Sequence, residues 1–331
     1  MALTPCPRLT RAGTSLLSLL PGIAGRQCGV QPRTQHTLAR MRGYAGARAA
    51  HHVADSLLRK VRGKALRQAA RLQPLEAGSP SRTPHDRFPA DTIRRLDVSL
   101  LGGNLTLVVD PARAHGTVAV ASQDEAKFRP SVHLAGDTLT VRHRHNVLAY
   151  AGQVAPVHTT LWLPFLPRRS YLRMVAGEVW VFGSGIPAPG SSGSGGNTAC
   201  NQTEQGDGPC WMDIDCGLGD VQLFDVLGRV TTKCLAGDTT VAWTEASAQS
   251  QGIDESALNT WAGLGDLRVL AHCDIPLAGV ACNGKNVQPL HAYGAAAQPS
   301  TAGSGVRVTS SSWLGLGDAH LVRFADDMFN R

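Results

Sequence analysis

From Asp97 onward, short runs of apolar residues alternate with polar ones, and each run is led in by a glycine followed by an acid or amide. The instances are Gly103-Asn-Leu-Thr-Leu107, Gly136-Asp137 into Val141, Gly177-Glu-Val-Trp-Val181, Gly219-Asp220 into Leu223, Gly237-Asp238 into Val241, Gly265-Asp266 into Val269 and Gly317-Asp318 into Leu321. Period-two alternation puts one face of a strand in a core and the other in solvent. Glycine enters positive φ without steric cost, and Asp or Asn bonds nearby backbone, so each pair predicts a turn into a strand. Three pairs belong to Gly-Leu-Gly-Asp, at 217–220, 263–266 and 315–318. Gly219 and Gly237 lie eighteen residues apart, about one coil of a solenoid. The predicted class is all-β: a β-solenoid or β-helix-like stack of Gly-Asp-turn strand repeats over 95–325. Loops interrupt it at 183–209, 244–257 and 271–304.

Ahead of the strands the pattern changes period. Leu57, Leu58, Val61, Ala65, Ala69 and Leu72 fall at helical spacing, with Arg59, Lys60, Arg62, Lys64, Arg67 and Arg71 around them. This predicts a basic amphipathic helix over 45–75. Its 53–73 portion could make peripheral contact with acidic lipid or an acidic partner, cap one end of the stack, or stand as a solvated lead-in helix. Pro74, Pro80, Pro84 and Pro89 mark a linker over 76–94.

The net charge of +7 hides an asymmetry. Residues 1–75 hold thirteen Arg and Lys against the single acid Asp55, a net of +12; the remaining nineteen basic and twenty-four acidic residues net to −5. The strand region therefore has no electrostatic footprint for nucleic acid. Met1 to Ala54 contains no acid, and its formal charge comes from arginine alone, as in an organelle transit peptide. Arg42-Gly-Tyr44-Ala45 fits a matrix-peptidase site with cleavage between Tyr44 and Ala45, giving a transit peptide over 1–44. The expected location is the mitochondrial matrix, with the chloroplast as the alternative. No apolar run reaches the roughly 20 residues of a spanning helix.

The Gly-Asp-strand repeats resemble the bacterial "putative adhesin" domain of unknown function, which mitochondrial eukaryotic proteins also carry. The resemblance covers about 95–325 and implies a strand-rich repeat fold. It supplies no catalytic residue, and the insertions and cysteines of this chain depart from the simple pattern.

The chemistry-bearing residues add little. No nucleophile elbow, Walker loop, dinucleotide fingerprint or paired carboxylates occur, so no catalytic residue, cofactor or metal is assigned. Cys6 and Cys28 fall in the transit peptide. Cys200, Cys210, Cys216, Cys234, Cys273 and Cys282 match no zinc spacing and read as small buried residues, with a disulfide or a thiolate site as alternatives. Val141-Arg-His-Arg-His145 reads as a charged edge strand rather than a metal or phosphate pair. Asp137, Asp220, Asp238, Asp266 and Asp318 read as isolated turn residues rather than a calcium ladder. The functional reading is a non-enzymatic protein-interaction or self-associating scaffold. The alternative is a carbohydrate- or polymer-binding or polymer-cleaving β-helix. Exposure of Trp162, Trp180, Trp211, Trp243, Trp261 and Trp313 separates the two: a surface stripe favours glycan, burial favours plain core.

Overall fold

The computed structural model describes residues 32–76, 86–89, 92–111, 113, 115–121, 130–143, 158–184, 210–248, 255–292 and 307–325. Two compact units divide between Gly46 and Ala47; the packing below is within the second. Helix α1 runs Pro32–Glu76, continuous through Tyr44 and Ala45 and longer than the 45–75 predicted. Strands follow: β1 (Asp86–Pro89), β2 (Arg95–Val109), β3 (His115–Ala121), β4 (Pro130–Ala135), β5 (Thr138–His143), β6 (His158–Leu163), β7 (Arg169–Phe182), β8 (Trp211–Leu218), β9 (Val221–Phe224), β10 (Arg229–Ala236) and β11 (Thr239–Trp243). A short helix α2 (Glu245–Ala248) precedes β12 (Glu255–Leu264), β13 (Leu267–His272), β14 (Leu277–Cys282), β15 (Lys285–Asn286), β16 (Pro289–His291), β17 (Arg307–Leu316) and β18 (Ala319–Phe324).

Two parallel ladders organise the sheet. The first runs β5, the N-terminal half of β2, the N-terminal half of β7, then β8, β10, β12, β17 and β14. The second runs β6, the C-terminal halves of β2 and β7, then β9, β11, β13, β18 and β16. Each rung is one strand from each ladder; in the six rungs from β2 to β17–β18 the two are joined at a glycine corner. Antiparallel strands close the outer rungs: β4 on β5, β3 on β6 with β1 beyond it, and β15 on β14.

Burial follows from this. First-ladder strands alternate, as in β10 with Val230, Thr232 and Cys234 inside and Arg229, Lys233 and Leu235 outside. Second-ladder strands are buried on both faces: β9 and β11 carry no exposed residue. Their inner residues, such as Val221, Leu223 and Val241, join the first ladder's in one core. Their outer residues, Trp180, Phe182, Phe224, Ala242, Leu270 and Val322, form a second core with Ala54, Val61, Ala65 and Leu72 of α1.

The helix therefore covers the side of the second ladder and does not cap an end. Gln68 donates to the Thr106 hydroxyl on β2 (2.8 Å), Lys64 pairs with Asp220 beside β9 (2.9 Å), and His51 Nδ1 donates to the His291 carbonyl on β16. Seventeen helical residues rise roughly 26 Å, and six strand spacings from β2 to β16 span roughly 29 Å, so about one helical turn meets each rung. The apolar face of 53–73 is thus spent on the sheet, while the basic side chains Arg59, Lys60, Arg67 and Arg71 stay exposed on its opposite face. No helix among the described residues is long and apolar enough to cross a membrane.

Other expectations also change. Asp86–Pro89, inside the predicted linker, pairs with β3. Within the predicted loop 271–304, residues 277–291 hold three short strands on the last rung. The polar 244–257 stretch, open to a short helix or a loop, holds α2 and the start of β12. Strand β5, carrying Arg142 and His143, is no edge: it lies between β2 and β4, and Arg142 pairs with Asp97 at 2.8 Å. His145 and the 185–209 part of the predicted loop 183–209 lie outside the described residues.

Candidate functional site

The repeated Gly-Asp pairs are brought together, with one exception. Gly103, Gly177, Gly219, Gly237, Gly265 and Gly317 stack at the corner between the ladders, while Gly136 and Asp137 turn the β4–β5 hairpin. Gly237 shows why the corner needs glycine. Its φ is +146°, and a Cβ there would sit 2.0 Å from the carbonyl oxygen of Gly219 on the rung below.

The acids of the corner form a ladder rather than isolated turns. Asp220 Oδ1 accepts from the backbone N–H of Asp238 (3.0 Å), Asp238 Oδ1 from that of Asp266 (3.0 Å), and Asp266 Oδ1 from that of Asp318 (3.1 Å). At the other end Asn104 Oδ1 accepts from Glu178 at 3.3 Å. The second oxygens meet cations: Asp220 meets Lys64 of α1, and Asp238 and Asp266 share the buried Arg268 at 2.6 and 2.8 Å. Burial, the largest influence, pushes the Asp238 carboxyl up, but the Asp266 N–H, Arg268 and Lys64 together hold it below its ordinary value. These carboxylates are occupied by the fold.

The cysteines described are all free thiols. Cys216 and Cys234 face each other across β8 and β10 inside the core. Their hydrogen bond, followed by burial, pushes Cys216 above the ordinary thiol range, which leaves it protonated and inert. Cys200 lies outside the described residues. One ligating cluster escaped sequence reasoning because its members are consecutive: His272, Cys273 and Asp274 bring ligand atoms within 4.8 Å of one another. His272 Nε2 bonds the Ala325 carbonyl and its Nδ1 meets the Asp274 N–H, while Arg323 donates to the Cys273 carbonyl. A fixed guanidinium beside the cluster disfavours a cation there.

The tryptophans divide by ladder. Trp162, Trp180 and Trp243 are buried, whereas Trp211, Trp261 and Trp313 stand 48%, 40% and 49% exposed on the outer face of the first ladder. Trp261 and Trp313 occupy the same register on β12 and β17, and their rings stack at 5.5 Å and 5°. Leu218, Leu264 and Leu316 form an exposed aliphatic column beside the corner, with Val175 and Leu235 next to it. Glycines 217, 263 and 315 alternate with those two because a Cβ at each would strike the carbonyl of Val175, Leu235 or Gly263. The sequence signal was present in Trp-x-Gly-Leu of 261–264 and 313–316: outward Trp and Gly alternate with inward residues, then an outward-leaning Leu precedes the corner.

Fold and surface together define a strand-stack protein whose outer first-ladder face sets exposed Trp and Leu side chains among charged ones. No protein-family model matches the chain, and no curated protein matches it. Several solved structures are similar. A "putative cell adhesion protein" from Clostridium sporogenes aligns over 72% of this chain and 97% of its own, at 10% identity and a TM-score of 0.33. A "putative adhesin" from Bacteroides fragilis aligns over 71% and 95%, at 11% identity and a TM-score of 0.29. A "putative lipid binding protein" from Parabacteroides distasonis aligns over 73% and 96%, at 9% identity and a TM-score of 0.25. Those names belong to those proteins; the function below is argued from this chain's own surface.

Proposed function

We propose that the chain is a non-enzymatic β-solenoid scaffold of the mitochondrion, and that the outer face of its first ladder docks a second copy of the same chain. One observation carries the docking: the exposed Trp261–Trp313 stack continues a charged column in register. Along that column lie Arg173, Asp215, Lys233, Trp261 and Trp313. Cations occupy one end and indole faces the other, so a two-fold axis across the stack sets the Arg and Lys of one copy against the Trp rings of the other. The five strands β7, β8, β10, β12 and β17 present roughly 24 by 26 Å, or about 600 Å² per copy, at the lower limit of a stable interface. Support for the solenoid is the parallel, in-register stacking of successive rungs. Support for the organelle is the acid-free, arginine-bearing stretch before Asp55, with the chloroplast as the alternative address.

The docking is tested by light scattering of the full chain and of the Trp261→Ser/Trp313→Ser double variant. The parent runs as a dimer and the variant as a monomer with unchanged circular dichroism; equal masses overturn the proposal.

A second reading rests on the exposed indole pair, since a sugar ring can stack on the free outer face of a parallel aromatic stack. It predicts that an oligosaccharide quenches the fluorescence of the parent but not of the double variant, and that it does so without changing mass.

A further inference from the structure

The inner column of the second ladder changes character in its last rungs. Trp243 and Ala271 lie in register inside the core, and the next positions are Arg323 on β18 and His291 on β16. Alternation places an apolar side chain at such positions, so a guanidinium and an imidazole there break the local rule. They line a cavity of about 340 Å³ between β18 and the β14–β16 rung, walled by Leu277, Val280, Val287 and Leu321. That volume lies within the usual small-molecule range, about 300–1,000 Å³.

The polar groups of this cavity lack counterparts. Arg323 is 7% exposed and donates only to the carbonyls of Ile275 and Cys273; among the described residues it has no carboxylate partner. Two of the guanidinium's five N–H groups are thus used, and the nearby Asp274 carboxylate acts on it through space without a salt bridge. His291 Nδ1 is buried without a hydrogen-bond partner. Burial, then Arg323 and His51, push the imidazole toward its neutral form, leaving Arg323 as the fixed cation of the wall.

We propose that this cavity binds a small amphipathic carboxylate, with its head on Arg323 beside His291 and its apolar chain against Leu277, Val280, Val287 and Leu321. One guanidinium matches one monoanionic carboxylate in charge and fork geometry.

Titration calorimetry of the full chain with octanoate, 1-octanol and octylammonium tests the site. Octanoate binds, octanol binds at least roughly tenfold more weakly, and octylammonium does not bind. Arg323→Gln lowers octanoate affinity by roughly tenfold or more. Gly279→Leu does the same by crowding the cavity's open side; Gly279 lines it there, is exposed, and a Cβ on it meets nothing within 4 Å. If Arg323→Gln does not fold, Gly279→Leu decides. Absence of octanoate binding at millimolar concentration, equal binding of octanol, or binding that survives Gly279→Leu overturns the proposal.

Discussion

At Gly237, a single missing side chain lets two rungs approach. Gly237→Ala meets both the +146° φ and the Gly219 carbonyl, and the expected loss is about 3 kcal/mol or more by chemical denaturation. A loss under 1 kcal/mol would mean the corners can shift apart. Asp238 gives the pH counterpart. Its folded value lies below the ordinary carboxyl value of about 4, so its stabilisation is full above that pH and disappears as pH falls through the folded value. Asp238→Asn should cost about 1 kcal/mol or more at neutral pH, and urea midpoints of parent and variant should converge in acid. A gap that stays constant with pH would remove the charge from the account. Among thiols, iodoacetamide on the native chain should reach half-buried Cys273 before Cys216 or Cys234, as peptide mapping would show.

Helix α1 carries the clearest test at the scale of elements. Gly63 faces only the end of the Arg67 side chain, and its φ lies outside the positive range. Gly63→Ala should therefore raise stability by about 0.5–1 kcal/mol, read as a higher denaturation midpoint. The corners were legible in the sequence because stacking forces glycine at each one, and the strands were legible from alternation. Helical spacing announced an apolar face but not what it covers, since Leu72, Ala65 and Val61 match any flat apolar surface. Gly136-Asp137 carries the same local signal as the stacked pairs, but there β4 folds straight back on β5, whereas the corner glycines stack on rungs distant in sequence. Strands β14 to β16 span six, two and three residues, too short to show a period. The cap cavity left a readable trace, Arg323 at an inward position two residues after Leu321, but its meaning needs His291 from a different strand.

For the whole molecule, two ladders share one core, and each outer surface has its own fate. Helix α1 covers the second ladder's outer face; among the described residues no helix covers the first ladder's. That side holds Trp211, Trp261, Trp313 and the Leu218–Leu264–Leu316 column, the exposed apolar groups on which the docking proposal rests. The most direct measurement is the mass of the full chain by light scattering at micromolar concentration, beside that of Trp261→Ser/Trp313→Ser. The account predicts a dimer for the parent and a folded monomer for the variant; a monomeric parent, or a variant that stays dimeric, contradicts it.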